Sequence, residues 1–290
     1  MQGLLAVGGP AADKVSIEQA RAGHEAETKH LSGPGEPVAE VRDVEVESPC
    51  GAIPVRVYRP EGDGPFPVVA YLHGGGWMIG SIESFDTVCR ALANEARAIV
   101  ASVGYRLAPE HPFPAALEDC VAATRGLAEL HEGEPVAVAG DSAGGNLAIG
   151  VARRLRDQVR AQLLIYPVTD AGLNTPSMRD FKTRYGLTAA GLKRFWNLYL
   201  DGADGFQPDA SPLRADDLAG VPPAFVLTAE FDVLRDEGEA FVGKLREAGV
   251  DVEHHRFEGT IHGFWRWMAG TDETRRAIAE VGAALRSTLG

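Results

Sequence analysis

The sequence predicts an α/β fold: a mainly parallel, twisted sheet with helices on both faces and a helical cap. Three observations carry that expectation. Residues 67–72, 98–105, 135–139, 162–168, 223–231 and 252–257 read as strands, most of them continuously apolar rather than alternating, and an unbroken apolar strand needs a sheet covered on both faces. Helix-forming stretches separate these runs, the alternation that builds a parallel core. One run, Pro135-Val136-Ala137-Val138-Ala139, leads through Gly140-Asp141-Ser142-Ala143-Gly144 directly into a helix-forming segment, Gly145 to Arg154.

Taken in order, the chain opens on Met1 to Pro10, which lacks a basic leader region and has too short an apolar run for a secretory signal. Ser16-Ile17-Glu18-Gln19 resembles a capping box, so residues 17–31 are expected to be helical until Ser32-Gly33-Pro34-Gly35 stops them. Val44 and Val46 alternate with acidic residues, and Ile53, Val55 and Val57 alternate with Pro54, Arg56 and Tyr58, which predicts an antiparallel hairpin with one buried face. The strand and helix alternation then runs to residue 168. Residues 169–219 interrupt it and hold Phe181, Tyr185, Phe195, Trp196 and Tyr199, a dense share of the aromatics. That insertion reads as a cap whose apolar underside shapes a pocket. The expected division is therefore an N-terminal cap segment (1–42), a first core part (43–168), the cap insertion (169–219) and a second core part (220–290).

A single α/β domain with an accessory cap is the natural count for 290 residues. The net charge of −13 argues against nucleic acid and anionic membrane surfaces, which call for lysine and arginine, and favours a neutral substrate. No stretch has the length of a membrane span. Cys50, Cys89 and Cys120 form a scattered trio without metal or disulfide spacing, read as reduced packing residues in a cytoplasmic protein.

The segment around Ser142 carries the chemistry. A serine with glycines two residues away on either side, between a strand and a helix, describes a nucleophile elbow, where a strained backbone lifts the hydroxyl above the sheet. A serine hydroxyl is a weak nucleophile and needs a base. Of eight histidines, His24, His30 and His131 read as surface residues and His111 as a structural group in a Pro-rich loop. His254 and His255 are neighbours in a strand, so they face opposite ways and cannot share a metal. His262 alone sits in a loop after the last strand. Glu230, Asp232, Asp236 and Glu237 all lie near the end of the strand at 223–231; Asp232 is the first loop residue, while Asp236 and Glu237 open a helix whose dipole favours acids. His73-Gly74-Gly75-Gly76-Trp77 follows another strand, and its bare N–H groups suit an oxyanion hole. Gly75 and Gly76 are the expected donors, with Gly74 the alternative by a one-residue shift, and Ala143 supplies the N–H that follows the nucleophile. His73 is expected to shape this loop and Trp77 to anchor it.

With these segments in the order serine, acid, histidine, the sequence resembles the hormone-sensitive-lipase family of α/β-hydrolases, the bacterial family IV carboxylesterases with an HGGGW loop and a GDSAGG elbow. Tyr105 to Ala115, Asp232 to Gly238 and His262-Gly263-Phe264 are similar to further signatures of that family, over a match from about Val44 to the C-terminus. Val233 is a small departure, since relatives often have proline there. The resemblance implies an α/β-hydrolase fold, a Ser142–His262–Asp232 triad acting on short- to medium-chain acyl esters through an acyl-enzyme, no cofactor and no metal, and a cap that combines residues 169–219 with the N-terminal segment. The expected partner is a small neutral ester, with a homodimer left open. The rival readings are an amidase, a true lipase, and a small-molecule receptor on the same scaffold; plant receptors that resemble this family have lost the histidine that stands here as His262.

Overall fold

The computed structural model describes residues 15–290; the leader reading of Met1 to Pro10 and the first fourteen residues of the N-terminal cap segment lie outside the described residues. Helix α1 (Ile17–Ser32) starts where Ser16 Oγ accepts the N–H of Gln19 and Gln19 Oε1 accepts that of Ser16, the reciprocal box that satisfies two orphan donors. It stops at Gly33, whose φ of 68° only glycine adopts without strain. Strands β1 (Glu40–Val46) and β2 (Ile53–Arg59) follow as the antiparallel hairpin. Then come β3 (Val68–Leu72), α2 (Asp86–Ala96), β4 (Ile99–Val103), α3 (Ala115–Leu130), β5 (Val136–Asp141), α4 (Ala143–Arg154) and β6 (Val159–Ile165). Helices α5 (Pro176–Asp180) and α6 (Ala189–Leu200) occupy the connection to β7 (Ala224–Phe231), which is followed by α7 (Arg235–Glu247), β8 (Val252–Ile261) and α8 (Asp272–Leu289).

The eight strands form one sheet in the order β1-β2-β4-β3-β5-β6-β7-β8, antiparallel at β1, β2 and β4 and parallel from there on. Successive side chains of a strand point to opposite faces, so Val68, Ala70 and Leu72 of β3 enter one core while Val69 and Tyr71 enter the other. Helices α3, α4 and α7 cover the first face through Leu117, Leu147, Ile149 and Phe241; α2 and α8 cover the second through Val88, Leu92, Ile278 and Leu285. Burial on both faces is why the central strands read as continuously apolar. Among the described residues, no helix is long and apolar enough to cross a membrane.

Four expectations need correction. Strand β6 covers Val159–Ile165 rather than 162–168, because Tyr166 takes a φ of 34° and turns the chain out of the sheet. Strand β8 runs on to Ile261, four residues past the expected end at 257, through a register irregularity that pairs Phe231 with Ile261. Cys50 is exposed at the hairpin turn, whereas Cys89 and Cys120 are buried. His24 is buried, not superficial: it stacks on Phe85 at 6.3 Å, on the inward stripe of α1 formed with Ala20, Thr28 and Leu31.

That burial has a pH consequence. Desolvation, then the charge of Arg266, pushes the His24 pKa well below the ordinary 6.5. Below about pH 6.5 the unfolded chain therefore binds more protons at this site than the folded one, and stability falls with falling pH; above it the effect vanishes. Thermal melts of the wild type and His24→Leu across pH 4.5–8 should show a shallower acid slope in the variant, by up to about 1.4 kcal/mol per pH unit. Parallel slopes would remove His24 from the acid response.

Candidate active site

Ser142, Asp232, His262 and the glycine loop all follow the C-terminal ends of parallel strands, namely β5, β7, β8 and β3, the edge where open α/β sheets gather their functional loops. Ser142 stands between β5 and α4 with φ 55° and ψ −118°, a strained conformation for a residue with a side chain. Its N–H is fixed to Ile165 O at 2.8 Å. The flanking glycines are needed for close backbone approach. A Cβ on Gly140 would strike the carbonyl of Gly144, and one on Gly144 would strike the carbonyl of Leu72 in β3.

The serine hydroxyl lies 2.9 Å from His262 Nε2, and His262 Nδ1 lies 2.7 Å from Asp232 Oδ2. The Asp232 side chain is fully buried, and its other oxygen accepts the N–H of Leu234 at 2.9 Å. Such a line can draw a proton from the hydroxyl onto the imidazole and hold the resulting cation beside a carboxylate. The tilted ring of Tyr166, 4.5 Å from that of His262, closes one side.

The other candidate acids serve different ends. Glu230 Oε2 accepts the N–H of Gly259. Asp236 accepts the N–H of Ser177 at 2.7 Å. Glu237, read in the sequence only through the helix dipole, is fully buried, and its Oε1 accepts the N–H groups of Thr169 and Asp170. Burial pushes its carboxyl up to about 8, so at neutral pH it is mostly protonated, tying the start of the β6–β7 connection to α7. His254 and His255 do point apart, to Thr228 and Glu280. His111 is exposed.

In the glycine loop, the N–H of Gly74 is held by Asp141 Oδ1 at 2.8 Å. Gly75 and Gly76 come next, at φ 121° and 59°, and a Cβ on Gly76 would overlap the ring of Phe195 from α6. Ala143 is the first residue of α4, where an N–H has no partner within the helix. His73 stacks on Tyr105 at 4.3 Å; its Nδ1 lies 2.8 Å from Gly74 O and its carbonyl accepts the Tyr105 hydroxyl at 2.6 Å. Burial pushes its pKa down to about 4, so the ring is neutral. Trp77 stacks on Tyr199 at 4.2 Å and packs against Trp196 at 4.6 Å, all three buried. Phe181 and Tyr185 instead cluster, half-buried, around Phe231 at 5.7 and 5.3 Å.

Arg21 was silent in the sequence. From α1 it donates to the carbonyls of Met78 and Ala108 at 2.9 and 3.1 Å and pairs with Glu110. At the other end of the helix, Arg266 donates to Thr28 Oγ1 at 2.7 Å. Helix α1 thus spans the segments that follow the glycine loop and His262.

A family profile described as the alpha/beta hydrolase fold matches residues 69–266. The chain is also 39% identical over 266 residues to the carboxylic ester hydrolase LipN of Mycobacterium tuberculosis, covering 86% of this chain and 71% of that protein. This protein belongs to the hormone-sensitive-lipase family of α/β-hydrolase carboxylesterases. It is a carboxylic ester hydrolase. The esterase is 36% identical to an ethyl acetate hydrolase of Pseudomonas putida over 95% of this chain and 91% of the relative. Among solved structures, it superposes on the Pyrobaculum calidifontis esterase with a TM-score of 0.90 at 40% identity, over 94% of each chain.

Proposed function

We propose that this esterase hydrolyses short- to medium-chain acyl esters of neutral character by a Ser142–His262–Asp232 triad and an acyl-enzyme intermediate. The observation that carries the proposal is the unbroken line from Ser142 Oγ through both ring nitrogens of His262 to Asp232, at 2.9 and 2.7 Å. His262 Nε2 takes the hydroxyl proton as Oγ attacks the ester carbonyl, and Asp232 holds the imidazole tautomer and supports its charge. The N–H groups of Gly75, Gly76 and Ala143 face the oxyanion; Gly74 is left out because Asp141 already engages its N–H. Collapse of the tetrahedral adduct releases the alcohol with the proton from His262, and water repeats the sequence to free the acid.

Residues 169–219 together with α1 act as the cap. Phe181 and Tyr185 provide the aromatic wall of the acyl site, while Phe195, Trp196 and Tyr199 back the glycine loop from behind. The net charge of −13 and the scattered cysteines support a cytoplasmic setting with small uncharged substrates. The name of the ethyl acetate hydrolase relative supports a short acyl group.

An acyl series of p-nitrophenyl esters tests the reading. Each methylene that finds apolar surface adds about 0.8 kcal/mol, roughly fourfold in kcat/KM, until the site is full. Specificity should rise from acetate, peak at about four to eight carbons given that increment, and then fall. A kcat/KM that climbs through palmitate would favour a true lipase, and no turnover of any ester would favour a receptor.

A further inference from the structure

Tyr71 lies in β3, two residues before His73, and strand alternation turns it into the core beneath α2 and α8. A phenylalanine would fill that space, yet the buried hydroxyl has two partners. It accepts Trp265 Nε1–H at 2.9 Å and donates to Asp141 Oδ1 at 2.8 Å. The same Asp141 oxygen accepts the N–H of Gly74 at 2.8 Å. Trp265 comes three residues after His262, Asp141 immediately precedes Ser142, and Gly74 immediately precedes Gly75. One hydroxyl therefore joins the three segments that carry the base, the nucleophile and the oxyanion donors, across 194 and 70 residues of sequence.

We propose that Tyr71 is a positioning residue for ester hydrolysis: its hydroxyl fixes the spacing of the Gly75 and Gly76 amides, Ser142 and the His262 loop, and so acts on the transition state without touching substrate. The inference rests on the triad reading above. Oxyanion donors work only within about 2.7–3.1 Å of the developing charge, and a misplacement of about 1 Å can cost a hundredfold in rate. Without the Tyr71 O–H, Asp141 Oδ1 keeps only the Gly74 N–H, and Trp265 Nε1–H loses its acceptor. The carboxylate depends on these donors, since burial pushes its pKa up to about 6 while the Tyr71 and Gly74 hydrogen bonds and the charges of Arg266 and His262 pull it down.

The test measures Tyr71→Phe, Trp265→Phe and the double variant with p-nitrophenyl butanoate, kcat being normalised to active sites titrated with a phosphonate, and beside them Ser142→Ala, normalised to protein concentration because it has no hydroxyl to titrate. Tyr71→Phe should lower kcat about tenfold with KM changed less than about twofold, because the loss falls on the transition state alone. Trp265→Phe, losing the outer link, should lower kcat about threefold, and the double variant should be no worse than Tyr71→Phe because the links lie in series. Wild-type kcat per titrated site in Tyr71→Phe, with only a lower melting temperature, would make the hydroxyl merely structural and overturn the proposal. A change confined to KM would do the same. Should Tyr71→Phe fail to fold, Trp265→Phe decides by the same split between kcat and KM. An active Ser142→Ala would sink the triad reading instead, whereas an inactive Ser142→Ala beside a fully active Tyr71→Phe sinks only this inference.

Discussion

Replacing Ser142 with alanine is expected to lower kcat for ester hydrolysis about a millionfold, the loss seen when a serine nucleophile is removed from a triad, while the melting temperature stays within a few degrees. The hydroxyl is the only atom deleted, and its partner in the structure is His262 Nε2. The backbone strain at φ 55° is held by Gly140, Gly144 and the Ser142 N–H bond to Ile165, all of which remain. What activity survives comes from the oxyanion donors and substrate binding alone. Steady-state kinetics with p-nitrophenyl butanoate and a thermal melt are the measurements, and turnover within tenfold of wild type would end the serine mechanism.

Asp232→Asn is expected to cost about ten-thousandfold in kcat, the magnitude known for a triad left in the wrong tautomer. The carbonyl of the new amide keeps the Leu234 N–H bond at 2.9 Å, so the amide NH2 faces His262 Nδ1. That donor drives the ring proton to Nε2, which can then no longer accept from Ser142. Asp236→Asn is the control four residues on. Asp236 accepts from Ser177 N and pairs with Arg235, away from the imidazole, so its loss should cost about 1 kcal/mol of stability and leave kcat within about threefold. If Asp236→Asn proved the more damaging to kcat, the acid would be misassigned.

What is legible in the sequence is whatever is encoded locally. The elbow was legible because its steric demand falls on Gly140 and Gly144 within five residues, and the parallel core because two-sided burial leaves an unbroken apolar run. The reason for Gly144 was only half visible, since the atom it must avoid belongs to Leu72 of β3. Strand β8 runs beyond the expected 252–257 because pairing of Ile261 with Phe231 carries it through, a contact that no local pattern encodes. His24 was misread because its buried stripe includes polar Thr28, which hides the helix period. Arg21, Glu237 and Tyr71 have partners from 57 to 194 residues away. No spacing rule reaches that far, so their roles emerge only when the sheet brings the loops together.

The central claim is that Ser142 is the activated nucleophile of this esterase, and covalent labelling tests it most directly. The protein is treated with a fluorophosphonate, digested and sequenced by mass spectrometry. A single adduct on the Ser142 hydroxyl is expected, forming at a rate that drops by at least a hundredfold in His262→Ala, because the hydroxyl then has no base. An adduct on another residue, or a fully active enzyme that takes none, would contradict the account.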